Sequence, residues 1–209
     1  MRIVVLMSGG LDSVTCAAMA LRRGHEVLAL TVDYGQNHAL EIERSAEFAL
    51  AWGLRHRTVS LLGFADMVRG ATTLVEGGRA EGRDGIPASY VPARNTILIA
   101  LGLSWAEAEG AEEVWIGANA VDFSGYPDCR PAYIDAWGSL APLATRPGCR
   151  VEVKAPLLSL RKVEILRLAI GLGVDVGRTI SCYSPRGDRP CGACDSCKIR
   201  WEAESALLP

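Results

Sequence analysis

The sequence has no excess of positive charge. It contains 22 lysines and arginines against 24 aspartates and glutamates, which gives a formal net charge of -2. A protein that holds nucleic acid or anionic lipid without sequence preference needs a basic surface. We therefore expect no direct contact with nucleic acid.

The sequence also lacks a secretory signal and a membrane-spanning segment. Arg2 is the one basic residue near the start, and the apolar run that follows it, residues 3–7, ends at a Ser-Gly-Gly turn. A signal core needs about 7 to 15 apolar residues and a spanning helix about 20. We expect a protein that stays in the cytoplasm and has no contact with a membrane.

Internal repeats and low-complexity segments are absent as well, and a content of 49% hydrophobic residues indicates a globular protein. Short runs rich in Val, Ile and Leu alternate with segments of helical period, as in residues 2–7, 12–23 and 26–32. Further helices are expected over about residues 37–52 and 159–170. This alternation predicts a doubly wound α/β fold with a mainly parallel, five-stranded sheet. We expect one such domain over residues 1–180 and, packed on it, a cysteine-rich segment with a C-terminal helix over residues 181–209.

A glycine-rich turn, Ser-Gly-Gly-Leu-Asp-Ser, links the first predicted strand to the first predicted helix. Ligands of open α/β sheets bind at the carboxyl ends of strands, beside helix N-termini that favour anions. The turn lacks the lysine of a Walker A loop and does not match Gly-x-Gly-x-x-Gly. A turn with a capping side chain is the alternative, but the strand–turn–helix context favours a phosphate site. Its residues are Ser8, Gly9, Gly10, Leu11, Asp12 and Ser13.

Four of the seven cysteines lie close together near the end of the sequence: Cys182, Cys191, Cys194 and Cys197. In a reducing compartment such spacing favours metal ligation over disulfides. Four thiolates close a tetrahedral site with no open position, which is typical of structural zinc. An iron–sulfur cluster also accepts four cysteines, but no Cys-Pro follows here, and we favour zinc.

The loop over residues 119–130 follows the fourth predicted strand. An Asp in such a loop can accept hydrogen bonds from an amino-pyrimidinone edge, a Tyr can stack on the ring, and an Arg can hold a carboxylate. A polar loop folded on its own turns is the alternative. The candidate substrate-binding residues are Asp122, Tyr126, Asp128 and Arg130.

Taken together, these stretches resemble one family. The Ser-Gly-Gly-Leu-Asp-Ser turn, residues 33–36, Val-Pro-Ala-Arg-Asn at 91–95, the 119–130 loop and the four-cysteine tail are similar to the 7-cyano-7-deazaguanine synthases, which are N-type ATP pyrophosphatases. The likeness spans nearly the whole chain and implies an adenine-nucleotide α-hydrolase-like fold. It places ATP, with magnesium, on the 8–13 turn, Asp33 and Arg94, and one structural zinc on the cysteines. It implies catalytic roles for Asp12 and Lys162, although an exposed position is the ordinary alternative for Arg94 and Lys162.

The resemblance implies a carbon–nitrogen ligase of queuosine biosynthesis that converts 7-carboxy-7-deazaguanine and ammonia into the nitrile. The reaction would pass through an adenylated acid and an adenylated amide and would release AMP and pyrophosphate; the family also suggests a homodimer. The alternatives are a tRNA-thiolating or other amide-forming ATP pyrophosphatase and a zinc-ribbon adaptor. The net charge of -2 disfavours tRNA binding. A zinc-ribbon adaptor would not account for the glycine-rich turn at residues 8–13. The loop over residues 71–90 matches no motif.

Overall fold

The computed structural model describes residues 1–37, 40–61 and 63–207. Within these residues the strands are β1 (Arg2–Leu6), β2 (Glu26–Asp33), β3 (Arg55–Ser60), β4 (Glu113–Trp115) and β5 (Glu152–Lys154). The helices are α1 (Leu11–Arg22), α2 (Leu40–Ala51), α3 (Phe64–Val68), α4 (Arg94–Glu109), α5 (Asp122–Gly125), α6 (Pro131–Ala144), α7 (Lys162–Gly171) and α8 (Asp195–Ser205). None of the described helices is long and apolar enough to cross a membrane.

The strands form one sheet in the order β3-β2-β1-β4-β5, and each neighbouring pair is parallel. Successive side chains of a strand point to opposite faces, so Ile3 and Val5 of β1 pack with residues of α1, α2 and α7. Val4 and Leu6 pack on the other face with residues of α4 and α6. The predicted doubly wound fold with a five-stranded parallel sheet is therefore confirmed.

The order of the strands reverses at β1, which has β2 on one side and β4 on the other. At such a switch point the connections leave in opposite directions and open a crevice at the carboxyl ends of the strands. Gly117, just after β4, lies against the start of α1. A Cβ atom there would stand 3.0 Å from the backbone nitrogen of Ser13, so a side chain at this position would press on the first turn of α1.

Some predicted boundaries differ from the structure. The helix expected from about residue 159 begins at Lys162, because the Arg161 backbone N–H donates to Glu164 Oε2 at 2.8 Å and caps the first turn. The predicted irregular loop over residues 119–130 contains α5 and a 3-10 turn, Pro127–Cys129. The short helix α3 was not predicted, since five residues are too few to show a period. Of the helix expected over residues 37–52, residues 38 and 39 lie outside the described part.

The C-terminal segment packs on the α/β body. Ala203 of α8 belongs to the core cluster that also contains residues of α1 and α7. Before α8, the backbone N–H of Ile180 donates to the carbonyl of Gly9 at 3.2 Å. Ile180 also packs with Leu40 and Cys182 in a small cluster of its own. The cysteine-bearing segment therefore directly contacts the turn at the switch point.

Candidate active site

A cleft of about 250 Å3 opens at the carboxyl ends of β1, β2 and β4. It is the place where the sequence pattern predicts a ligand, because it lies at the topological switch point. The predicted site residues on its wall are Ser8, Gly10, Asp12, Ser13, Arg94, Asp122, Tyr126, Cys182 and Lys162. Residues from α2, α4 and the C-terminal segment complete the wall.

The 8–13 turn is held in shape from two sides. Gly9 has a φ of +80°, and a Cβ atom there would stand 2.6 Å from the carbonyl oxygen of Glu41 in α2. Only glycine accepts both the left-handed backbone and this close approach. The Ser8 backbone N–H donates to Ser13 Oγ at 3.1 Å, and the two hydroxyls lie 3.2 Å apart. The turn thus presents two serine hydroxyls beside the N-terminus of α1, as an anion site requires.

The C-terminal segment holds the same turn from the other side. The buried residue Leu11 donates its backbone N–H to Ser181 Oγ at 3.4 Å. Ser196 Oγ in turn donates to the carbonyl of Ser181. Gly10 lies close by, and a Cβ atom at this position would stand 3.1 Å from the carbonyl oxygen of Ile180. The residues just before the first cysteine of the cluster therefore position the turn.

Asp12 and Lys162 form an ion pair on the wall of the cleft. Lys162 Nζ lies 2.6 Å from Asp12 Oδ2, and the side chains are 11% and 21% exposed. Asn119 Nδ2 donates to the same oxygen at 3.3 Å. The second oxygen, Asp12 Oδ1, is buried and has no hydrogen-bond partner in the described part of the chain. A buried acceptor without a partner is costly, which indicates that a ligand or ion meets it.

Arg94 lies at the start of α4 and is directed inward. Its Nη1 donates to the hydroxyl of Tyr34 at 3.0 Å, while its buried Nε has no partner among the described residues. Burial raises the pKa of the neighbouring Glu41 to about 7, and the charge of Arg94 opposes this shift. The residue before Arg94, Ala93, has a φ of +52°. Strain of this kind is common where a side chain must be aimed at a ligand.

Asp33 does not lie on the wall of the cleft. Its Oδ1 accepts a hydrogen bond from the backbone N–H of Gly35 at 3.1 Å. This contact closes the turn after β2, the strand whose end forms part of the cleft. The structure thus places Asp33 at the end of β2, beside the site.

Asp122, in contrast, faces the cleft from the first residue of α5. Its Oδ2 accepts from the backbone N–H of Asn119 at 3.2 Å. Burial raises the pKa of Asp122 to about 6, and the charge of Asp12 adds to this shift, whereas Lys162 and Arg94 oppose it. The carboxylate is thus ionised at neutral pH and only partly exposed, as suits an acceptor for a ligand N–H.

Asp128 and Arg130 are not among the residues that line the cleft. Asp128 is buried, and its Oδ2 accepts from the backbone N–H of Asn95 at 2.9 Å. Asn95 Nδ2 donates back to the carbonyl of Asp128 at 3.1 Å. These contacts tie the 119–130 loop to the first turn of α4. The side chain of Arg130 is exposed at the start of α6.

Tyr126 faces the cleft beside Tyr183, which directly follows Cys182. The two hydroxyls lie 3.2 Å apart, and the hydroxyl of Tyr126 also lies 2.8 Å from Ser89 Oγ. Burial raises the pKa of the Tyr183 phenol, and the charges of Tyr126 and Asp122 add to the shift. Three separate segments therefore meet at this wall, including the end of the 71–90 loop.

The four cysteines form a cluster in which the Sγ atoms all lie within 4.8 Å of one another. Four thiolates at about 2.3 Å from a zinc ion stand about 3.8 Å apart, and the Sγ atoms of Cys191 and Cys197 are 4.0 Å apart. The backbone N–H groups of Ala193 and Cys194 lower the pKa of Cys191 to about 6, which favours a thiolate. The donor set fits a metal ion in tetrahedral coordination.

The sequence interpretation missed several residues on the cleft. Tyr34 lines the cleft, whereas the family resemblance of residues 33–36 implies a ligand contact at its neighbour Asp33. Asn119, two residues after Gly117, does not line the cleft itself but donates to Asp12 Oδ2 on its wall. Tyr183 follows the first cysteine of the cluster. It lies 57 residues from Tyr126 in the sequence, so no local pattern predicts their contact.

A family model described as "Queuosine biosynthesis protein QueC" matches residues 2–207. The chain belongs to this family. Among curated members, it is 46% identical to the 7-cyano-7-deazaguanine synthase of Azoarcus sp. (strain BH72), over 98% of this chain and 92% of that protein. It is 49% identical to the protein of the same name from Cupriavidus necator, over 95% of this chain and 90% of the relative.

Membership of the QueC family confirms the resemblance on which the sequence interpretation was based. Among solved structures, the chain is similar to NMN synthetase from Francisella tularensis, with a TM-score of 0.53 and 18% identity over 100% of this chain and 78% of that one. A likeness at this identity shows the fold alone. It agrees with the five-stranded parallel sheet and confirms the predicted α/β fold.

Proposed function

We propose that the protein is an ATP-dependent carbon–nitrogen ligase that converts 7-carboxy-7-deazaguanine and ammonia into 7-cyano-7-deazaguanine. One observation carries the proposal: the 8–13 turn and the 119–130 loop open into a single cleft. The curated relatives at 46% and 49% identity bear the name of this activity. An adenylation needs ATP and a carboxylate side by side, and a shared cleft supplies that proximity.

ATP occupies the end of the cleft at the 8–13 turn. Backbone N–H groups and hydroxyls there stabilise the pyrophosphate, because the N-terminus of α1 favours negative charge. The proposed direct contacts are Ser8, Gly10, Asp12, Ser13 and Arg94, while Gly9, Leu11 and Asp33 give the surrounding loops their shape. The partnerless Nε of Arg94 is a donor for a phosphate or ribose oxygen.

Lys162 and Asp12 are the proposed catalytic residues. The ammonium group of Lys162 stabilises the negative charge that builds up on the α-phosphate as the carboxylate attacks. Asp12 holds this ammonium group in place at 2.6 Å and keeps one oxygen unused. That oxygen fits a magnesium ion, which would neutralise the pyrophosphate when bound.

The heterocycle occupies the end of the cleft at α5. Asp122 accepts hydrogen bonds from the ring N–H and the exocyclic amine, and the side chain of Tyr126 closes the pocket. Asp128 acts indirectly, since it holds Asn95 and the start of α4. Arg130 is exposed and takes no part in this pocket.

The reaction proceeds by two adenylations. A carboxylate oxygen attacks the α-phosphorus of ATP and pyrophosphate leaves; ammonia then attacks the acyl carbon and AMP leaves, which gives the amide. The amide oxygen attacks the α-phosphorus of a second ATP and pyrophosphate leaves; loss of AMP and two protons then forms the nitrile. Each oxygen of the acid ends in one AMP, so no water is consumed. The chain supplies position and charge rather than a nucleophile.

The four-cysteine cluster holds one zinc ion in this proposal. Zinc prefers four thiolates in a closed structural site, where it contributes to folding. The segment over residues 181–209 is then an extension of the α/β domain over residues 1–180. The proposal includes a cytoplasmic location and a homodimer, both of which are usual for the family.

The test is a product assay with the purified protein, the deazaguanine acid, ATP, magnesium and ammonium. We expect the nitrile together with AMP and pyrophosphate, in a ratio of two AMP to one nitrile. Formation of ADP, or no turnover of the acid, would contradict the proposal. A parallel assay with tRNA and a sulfur donor tests the thiolating alternative, for which we expect no product.

A further inference from the structure

Three carboxylates line the cleft within the part of the chain that the structure describes: Asp12, Asp122 and Glu41. Asp12 holds the ammonium group of Lys162 at 2.6 Å, and Asp122 lies at the end proposed for the heterocycle. The proposed contacts with ATP, magnesium and the ring do not involve Glu41. Its side chain is therefore an acidic group of the cleft to which no ligand has been assigned.

Glu41 lies in the first turn of α2, directly against the 8–13 turn. A Cβ atom at Gly9 would stand 2.6 Å from the Glu41 carbonyl oxygen, which shows how closely the two segments approach. The Glu41 side chain is partly buried and faces the cleft. In the proposed function ATP occupies this end of the cleft. Glu41 therefore stands on the wall beside the ATP site.

Arg94 relates Glu41 to the other end of the cleft. The charge of Arg94 opposes the rise that burial causes in the pKa of Glu41, and it opposes the same rise at Asp122. Both carboxylates are therefore within electrostatic range of one guanidinium group. The carboxyl group of the acid must lie between the two ends, because its oxygen attacks ATP at one end while its ring is bound at the other. Glu41 is thus placed to act on a group that approaches the acyl carbon.

The ammonium ion is a substrate that needs such a group. At neutral pH it is a cation without a lone pair, so it has to be bound and has to lose a proton before its nitrogen can attack. A partly buried carboxylate attracts a small cation, and a base is most effective when its pKa lies near the working pH. Burial raises the pKa of Glu41 to about 7. The charged and titratable groups that act on it among the described residues are Arg94 and Tyr34.

We propose that Glu41 is a catalytic residue that binds the ammonium ion and takes one of its protons as the nitrogen attacks the acyl carbon. The inference rests on the proposed function and adds the group that prepares the nitrogen. The Glu41 carboxylate becomes a carboxyl group, and the lone pair of the nitrogen forms the C–N bond. The C–O bond to AMP breaks, and its electron pair leaves with AMP. The phosphate of the leaving AMP takes the second proton that the nitrogen loses.

The experiment compares the parent, Glu41→Gln and the matched control Glu43→Gln, which changes an exposed glutamate in the same turn of α2. The assays are run at about pH 8, where the carboxylate of Glu41 is ionised. Exchange of labelled pyrophosphate into ATP, measured with the acid but without ammonium, reports the first adenylation alone. Amide and nitrile formation at increasing ammonium concentration gives KM for ammonium. Hydroxylamine, which is uncharged at this pH, traps the adenylated acid as a hydroxamate.

We expect Glu41→Gln to keep the exchange rate within about twofold of the parent and to raise KM for ammonium about 10- to 100-fold, since a charge-assisted contact with the cation is lost. Hydroxamate formation should stay close to the parent rate, because this nucleophile needs no proton removed before it attacks. Glu43→Gln should match the parent in all three assays. Glu41→Asp keeps the charge on a shorter side chain and should raise KM for ammonium by a smaller factor. It keeps the inference testable if Glu41→Gln fails to fold.

The inference and the proposed function fail in different ways. If Glu41→Gln has the KM for ammonium of the parent, or loses hydroxamate formation as far as amide formation, Glu41 does not prepare the ammonium ion, and the proposed function stands. The same conclusion follows if Glu41→Gln does not fold and Glu41→Asp has the KM of the parent. If the parent neither exchanges pyrophosphate nor forms the nitrile, the proposed function fails and the inference fails with it.

Discussion

Lys162 Nζ lies 2.6 Å from Asp12 Oδ2, although 150 residues separate the two in the sequence. The pair joins the first turn of α1 to the first residue of α7 at the carboxyl edge of the sheet. Both helix N-termini favour negative charge, as an anion site requires. The contact therefore brings the 8–13 turn and a distant lysine together at the proposed phosphate site.

Replacing Lys162 by Gln should lower kcat about 100-fold or more, since a positioned cation at the developing charge is lost. The matched control is Lys198→Gln, since the side chain of Lys198 is 61% exposed and its Nζ lies 3.4 Å from Asp195 Oδ1. It should keep kcat within about twofold, because exposed ion pairs contribute little. Steady-state kinetics with the acid and ATP measure kcat for both variants. Equal kcat values for the two variants would show that Lys162 is not catalytic.

Gly9→Ala should destabilise the fold and prevent ATP binding. Its control is Gly24→Ala, because the two glycines have similar φ values, +80° and +76°, but nothing lies within 4 Å of a Cβ at Gly24. Left-handed backbone alone costs about 1 to 2 kcal/mol, and the collision with α2 at Gly9 adds about 1 to 3 kcal/mol. Thermal unfolding and calorimetric titration with ATP measure both effects. Equal losses in the two variants would mean that α2 does not hold the turn.

The affinity for the acid should fall as the pH drops through about 6. Asp122 has a pKa raised to about 6, so its carboxylate is ionised above this pH and becomes protonated below it. A protonated carboxyl group accepts less well from the two N–H groups of the heterocycle. Asp122→Asn should weaken binding of the acid and abolish this fall in affinity near pH 6.

Glu41, with a pKa of about 7, provides the control for this pH profile. Glu41→Gln should keep the limb near pH 6, because the carboxylate that accepts from the heterocycle is intact. If Asp122→Asn and the parent show the same pH dependence of affinity for the acid, the fall near pH 6 belongs to another group.

Metal analysis should find about one zinc per chain, and Cys191→Ser should lose it. Because Ile180 and Ser181 contact the 8–13 turn just before the cluster, loss of the metal should also weaken ATP binding. Cys149→Ser is the control, since this partly exposed cysteine lies outside the cluster. A brown, iron-containing protein would contradict the zinc assignment.

The fold and the two local motifs could be predicted because their signals are continuous in the sequence. Short apolar runs between segments of helical period predict the order of strands and helices. The turn at residues 8–13 and the cysteine cluster each lie within one short segment. Residues 122 and 128 could not be separated in this way, because both are aspartates in one loop. Only the folded chain shows that Asp122 faces the cleft and Asp128 the start of α4.

The rest of the site depends on contacts between distant segments. Tyr183 contacts Tyr126 across 57 residues, and Arg94 contacts Tyr34 across 60. Such pairs follow from how helices pack on the sheet, which no local pattern records. The spacing of the four cysteines predicts a structural metal site. It does not predict that this segment contacts the 8–13 turn.

The most direct test of the proposed reaction follows the oxygens of the acid. The deazaguanine acid, labelled with 18O in both carboxyl positions, is incubated with the protein, ATP, magnesium and ammonium, and the nucleotides are analysed by mass spectrometry. Two adenylations predict two AMP for each nitrile, each AMP with one 18O, and unlabelled pyrophosphate. Label in inorganic phosphate together with ADP, or label released to water, would contradict transfer of AMP to the acid and the amide.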